Sequence, residues 1–160
     1  LGVKPLYYAL LLKDLVEADG LVPVAKTSGS KGMQVSAAVA PTSDEHTSAY
    51  ARDLAQRLEK EHPRLVVSRM AKNLRGGKVF VDWSQNNAAK TTVAPYALRA
   101  RPQHWVSTPV TWDEVERGIR IEDLRIELVH PDTHQKRART QQIQHVDLDP
   151  RPLEVHAGRV

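Results

Sequence analysis

A chain of 160 residues, 41% apolar and 26% charged, has the make-up of a single globular domain rather than of a disordered or fibrous chain. The apolar stretch Leu6 to Val16 is broken by Lys13 and Asp14, too short and too charged to span a bilayer, and without the flanks of a secretory signal. The absence of Cys excludes a disulfide framework and a thiolate zinc site and fits a cytoplasmic protein, while a formal charge of +4 favours an anionic partner such as nucleic acid or nucleotide.

Pro5 suits a first helical turn, and the apolar run to Ala18 stopped by Gly20 predicts a largely buried helix. Leu21 to Lys26 reads as a strand, residues 27–32 as a polar glycine loop, and Met33 to Val39 as the returning strand. Thr42 followed by Glu45 fits a capping box opening a second helix to about His62, with Tyr50, Leu54 and Leu58 on one face. Strands are expected at Leu65 to Ser68 and Val79 to Trp83, joined by a basic turn, with Thr91 to Leu98 extended. Thr111 with Glu114 fits a second capping box before a short helix over Trp112 to Arg117. Strands and helices in this order argue for an α+β domain with a mixed or antiparallel sheet and flanking helices. Residues 1–125 form the expected core, and residues 126–160, rich in His, Lys and Arg and broken by Pro150, Pro152 and Gly158, an expected irregular tail.

Three features could carry chemistry. Residues 28–32, Ser-Gly-Ser-Lys-Gly, offer hydroxyls, backbone N–H groups and one cation between two strands, which suits a phosphate and equally suits a solvated hairpin turn. The spacing is not that of a Walker loop, and the loop leads into a strand. Asp82 ends an apolar strand, where a carboxylate can hold a divalent cation or initiate a turn. Lys72, Arg75 and Lys78 make the neighbourhood basic, and Arg99 and Arg101 alternate with alanine so that an extended chain would send both to one side. Trp83, Trp105 and Trp112 could stack bases or fill the core. The His residues show no metal-ligand spacing.

Four segments carry a resemblance: residues 26–32 (KTSGSKG), 80–86 (FVDWSQN), 92–100 (TVAPYALRA) and 106–112 (VSTPVTW). In this order, across Leu10 to Leu124, they resemble the polymerase domain of bacterial DNA ligase D, of the archaeo-eukaryotic primase superfamily. The resemblance implies a nucleotidyltransferase that adds nucleotides, often ribonucleotides, to DNA ends in non-homologous end joining, using Mn²⁺ or Mg²⁺. It implies that Ser28 and Lys31 bind triphosphate, that Lys72 and Arg75 add phosphate contacts, that Asp82 is a catalytic metal-binding carboxylate, that Gln85 contacts the nucleotide and that Arg99 lies near substrate. DNA ends and nucleoside triphosphates are the implied partners, with a Ku-type end-binding protein and a fused or separate ligase domain as companions.

The sequence departs from the family pattern twice. The position two residues after the loop's last glycine, a His in the family, is Gln34, which donates hydrogen bonds but carries no charge. The family's Asp-x-Asp pair upstream of the glycine loop is missing before Ser28, and the chain reads as a piece of a longer one. The pattern recurs at Asp147 and Asp149, which would supply the missing metal ligands if the tail folded beside Asp82. The competing expectation is a catalytically inert DNA- or nucleotide-binding module, or an incomplete fragment.

Overall fold

The computed structural model describes residues 3–100, 102, 104–124 and 153–159. They form a six-stranded mixed sheet and three α-helices, α1 (Val3–Ala18), α2 (Asp44–Glu61) and α3 (Trp112–Glu116). The strands are β1 (Pro23–Thr27), β2 (Gly32–Ala37), β3 (Val66–Val67), β4 (Val79–Asp82), β5 (Pro109–Val110) and β6 (Leu153–Arg159), in the spatial order β3-β4-β6-β2-β1-β5. Only β3 and β4 pair in parallel among the described strands. The α+β architecture with a mixed sheet and flanking helices agrees with the expectation.

Helix α1 buries Tyr8, Leu12 and Val16 at i, i+4 and i+8. It ends in a Schellman motif: Leu21 N–H donates to the Val16 carbonyl and Gly20 N–H to that of Glu17, with Gly20 at φ +79°. Helix α2 differs from expectation at its start. Ser43, not Thr42, is the N-cap, because its hydroxyl is the one that accepts from His46 N–H, and the buried stripe is Ala51, Leu54, Ala55 and Leu58. Tyr50 lies at the margin, its hydroxyl donating to Asp19. The capping box of Thr111 and Glu114 forms as expected and starts α3.

Two segments depart from the sequence reading. Residues 91–97 form no strand; Tyr96 and Ala97 exchange backbone bonds with Ser107, and one isolated bridge joins Leu98 and Val106. Within the stretch expected to be irregular, Leu153–Arg159 enters the sheet between β2 and β4, antiparallel to both. Leu153, Val155 and Ala157 lie opposite the core residues Ala37, Val35 and Met33, and Ala157 also opposite Val81. That is a period-two pattern matched to its neighbours. Asp147 and Asp149 lie outside the described residues.

Replacing Leu58, fully buried on α2, with Ala should lower the unfolding free energy by about 3 kcal/mol in a urea titration. Between α1 and α2, the Arg57 guanidinium and then the Tyr50 hydroxyl hold the Asp19 carboxyl below its ordinary value, against burial. A depressed carboxylate contributes stability that is complete at neutral pH and is lost as pH falls through its folded value. Thermal melts from pH 7 to pH 3 should therefore show a shallower acid limb for Asp19→Asn than for the wild type.

Candidate functional site

The two faces of the sheet have different duties. Ala25, Met33, Val35, Ala37, Val79 and Val81 join the core under α1 and α2, so the alternate residues Lys26, Gln34, Phe80 and Asp82 take the opposite face. The register aligns Lys26 with Gln34, Gln34 with position 156 and position 156 with Asp82, in one row across β1, β2, β6 and β4. Gln34 and Asp82 are thus two strands apart, about 10 Å between backbones.

Asp82 is half-buried where β4 ends. Its Oδ1 accepts from Ser84 N–H at 2.9 Å and from the Ser84 hydroxyl at 2.7 Å, and its Oδ2 from Gln85 Nε2 at 3.3 Å. The carboxylate therefore does initiate a turn, as any Asp in this position can. Lys90 donates to the Ser84 hydroxyl and so stands one side chain behind the acid. Asp82 offers the hard oxygen donor that divalent cations take. Among the described residues no group of three or more His, Cys, Asp or Glu side chains could hold a metal ion, so Asp82 fits one ligand position and not a whole site.

One row up the strand, Phe80 shares the face of Asp82, and the Arg75 guanidinium lies 3.8 Å from its ring centroid. Arg75 also donates to the Met70 carbonyl at 2.6 Å. Lys72 stays exposed on the 3₁₀ turn Lys72–Leu74, and Lys78 is engaged with the Pro63 carbonyl at 2.7 Å. Phe80 lies opposite Gly158, and Gly158 opposite Gly32, so the glycine loop opens at the level of Arg75 and not of Asp82. Ser28, Lys31 and Arg75 thus lie at one level of the sheet, the loop and Arg75 two strands apart, with Asp82 a row below.

The loop itself is a tight closure of the β1–β2 hairpin. Ser28 N–H donates to the Gly32 carbonyl at 2.9 Å and Gly32 N–H to the Ser28 hydroxyl at 3.2 Å, while Lys31 projects into solvent. Gly29 adopts φ +65° and is packed so closely that a Cβ would stand 2.5 Å from Arg99 Cγ and 2.9 Å from Ser107 N. Arg99, exposed, is thereby laid against the loop although 70 residues separate the two. Arg101 lies outside the described residues.

Several residues within the segments that carry the resemblance have a place in this region that the motifs alone do not assign. Lys26 donates to the Val93 carbonyl at 2.5 Å and Ser84 braces Asp82. The hydroxyls of Thr27, Ser107 and Thr108 are fully buried together beneath the loop. Ser84 had a local signal, since a Ser two residues after an Asp favours such a turn. Thr27 and Ser107 lie within two of the segments that carry the resemblance but have no local signal for their contact, being brought together only by the pairing of distant segments.

The description that matches residues 4–140 of the chain is "LigD, primase-polymerase domain". Over 103 residues the chain is 56% identical to the multifunctional non-homologous end joining protein LigD of Mycolicibacterium smegmatis, covering 61% of this chain and 14% of that protein. It is 48% identical over 109 residues to the LigD protein of Mycobacterium tuberculosis, covering 68% of this chain and 14% of the relative. The chain superposes on the solved polymerase domain of Mycobacterium tuberculosis ligase D in complex with DNA with a TM-score of 0.68 and 36% identity, covering 89% of this chain and 47% of that domain. The chain therefore spans about a seventh of the length of these full-length relatives.

A side chain at position 29 would strain the left-handed backbone and strike Arg99 and Ser107. Gly29→Ala should lower stability by about 2 kcal/mol, read from the midpoint of a denaturant titration at unchanged slope.

Proposed function

This chain belongs to the LigD primase-polymerase domain family, and from that premise we propose that it forms part of a nucleotidyltransferase that adds nucleotides to DNA ends in non-homologous end joining. The observation that carries the reading is the arrangement on the sheet face opposite α1 and α2: a glycine loop with Ser28, Lys31 and Arg75 at one level, and Asp82 one row below. A triphosphate laid along that face would meet hydroxyl, backbone N–H and guanidinium donors at its charged end. Its reacting end would then lie near the carboxylate.

In this reading Ser28 and Lys31 bind the triphosphate, Arg75 and Arg99 flank it, and Lys72 adds long-range attraction from the exposed turn. Gln34, buried beside the loop exit on the same row as Asp82, donates a neutral hydrogen bond to a phosphate oxygen. Gln85 contacts the nucleotide after exchanging its bond to Asp82. A divalent cation, Mn²⁺ or Mg²⁺, supplies charge neutralisation on the phosphates when bound, and Asp82 is the residue of this chain that would hold it. Further ligands must come from residues outside the described set, such as Asp147 and Asp149, or from outside this chain. DNA is the proposed polymer partner, in keeping with the net positive charge and with the DNA complex of the related domain. Nucleoside triphosphates, a Ku-type end-binding protein and a ligase domain are proposed partners on the same footing.

Primer extension with Mn²⁺ and each nucleotide type tests this. Activity in the wild type, lost at least a hundredfold in Asp82→Ala and in the paired Asp147→Ala and Asp149→Ala variant, would establish that the chain is catalytic and that the tail completes its site. Triphosphate or DNA binding without extension would instead establish a binding module. Because Gln34 does not titrate, triphosphate affinity should show no dependence on this position between pH 5.5 and 8. Gln34→His should tighten binding only below about pH 6.5, where imidazole becomes charged, as measured by titration calorimetry.

A further inference from the structure

Beneath the glycine loop lies a buried cluster of hydroxyls. Thr27, Ser107 and Thr108 are each 0% exposed. Thr27 is the last residue of β1, immediately before the loop, and all its polar atoms bond to one distant segment. Its N–H donates to the Thr108 carbonyl at 2.9 Å, and its carbonyl accepts from the Ser107 hydroxyl at 2.8 Å. Its hydroxyl accepts from Thr108 N–H at 3.0 Å and donates to the Val106 carbonyl at 3.4 Å. The Thr108 hydroxyl turns back to the same Val106 carbonyl at 3.2 Å.

Segment 106–108 in turn holds the strip that carries Arg99. Ser107 N–H donates to the Ala97 carbonyl at 3.0 Å, Tyr96 N–H donates to the Ser107 carbonyl at 2.6 Å, and Arg99 N–H donates to the Trp105 carbonyl at 2.9 Å. The loop and Arg99 then meet at Gly29, where there is no room for a Cβ between them. A core needs no hydroxyls to be well packed, and apolar side chains would seal this junction equally well. What hydrogen bonds add is direction and register, because each donor accepts only a narrow range of partner positions.

We propose that Ser107 and Thr27 are positioning residues for triphosphate binding. Their buried hydroxyls fix the glycine loop relative to Arg99, so that the loop donors and the guanidinium converge on one polyphosphate chain. The proposal rests on the reading of the loop as a phosphate site and adds the element that sets its spacing. Neither hydroxyl touches the ligand; both act through the backbone of the loop and of residues 96–99.

Titration calorimetry with inorganic tripolyphosphate tests it, on the wild-type chain, Ser107→Ala, Thr27→Val, Thr27→Ser, Arg99→Ala and the Ser107→Ala, Arg99→Ala pair, each with a thermal melt. Ser107→Ala and Thr27→Val should raise Kd about fivefold or more, and Thr27→Ser, which keeps the hydroxyl, should stay within twofold of the wild type. In the Arg99→Ala background Ser107→Ala should add less than twofold, since the partner it positions is gone. A Ser107→Ala variant that melts lower but binds as the wild type does, or that adds its full effect to Arg99→Ala, overturns the proposal. If Ser107→Ala does not fold, Thr27→Ser against Thr27→Val carries the same comparison. Failure of the wild type itself to bind tripolyphosphate overturns the loop's reading as a phosphate site, and the positioning role with it. Binding by the wild type with no loss in the variants overturns the positioning role alone.

Discussion

The face of this sheet opposite α1 and α2 depends on the strict alternation of β2 and β4. Both strands send their apolar aliphatic residues under α1 and α2 and their polar or aromatic ones the other way. Burial of Met33, Val35, Val79 and Val81 is therefore what turns Gln34 and Asp82 to the opposite face, and a slip of one residue would put the carboxylate into the core. The cost of burying an unpaired charge makes such a slip far less stable than the observed register. The packing of the helices and the placement of Asp82 are in this sense one constraint.

The central position of β6 gives that constraint its continuity. Without a strand between β2 and β4 their inward and outward edges would have no shared register, and Gln34 and Asp82 would have no fixed relation. With it, both lie opposite position 156. The strand closest to Asp82 is thus drawn from the last few residues of the sequence, whereas the family resemblance places the paired acids ahead of the glycine loop. Backbone hydrogen bonding is indifferent to chain order, and a strand with the right alternation can fill a sheet's centre from either end of the sequence.

Around the loop, rigidity comes from two different sources. On the Asp82 side the order is local: Ser84 and Gln85, two and three residues along, tie down the carboxylate, with Lys90 behind Ser84. On the loop side it is non-local, through the junction of Thr27 with residues 106–108 and the contact of Gly29 with Arg99. A polyanion bound between them would join a locally braced acid to a non-locally braced cradle, with Arg75, on the turn before β4, held over the ring of Phe80.

Legibility in the sequence followed this division. The helices, the β1–β2 hairpin, the strand ending at Asp82 and the capping box of Thr111 could be read because each rests on contacts within a few residues: 3.6- or 2-residue periodicity, a cap, a turn glycine. The family could be read because four short motifs kept their order, and with it the α+β class. Even locally, the choice between Thr42 and Ser43 as cap turned on which hydroxyl met His46 N–H, a matter of one residue's dihedral angles. The sequence by itself thus determined the elements, the identity of the candidate site residues and the charge of the surface. Only the tertiary structure decided that residues 153–159 lie at the sheet's centre, that residues 91–97 are not a strand, that Arg75 stacks on Phe80 while Lys72 stays exposed, and that Thr27 meets Ser107. These depend on which distant segments share backbone hydrogen bonds and bury one another's apolar faces. Such pairings are selected by the whole core at once and leave no mark in the spacing of neighbouring residues.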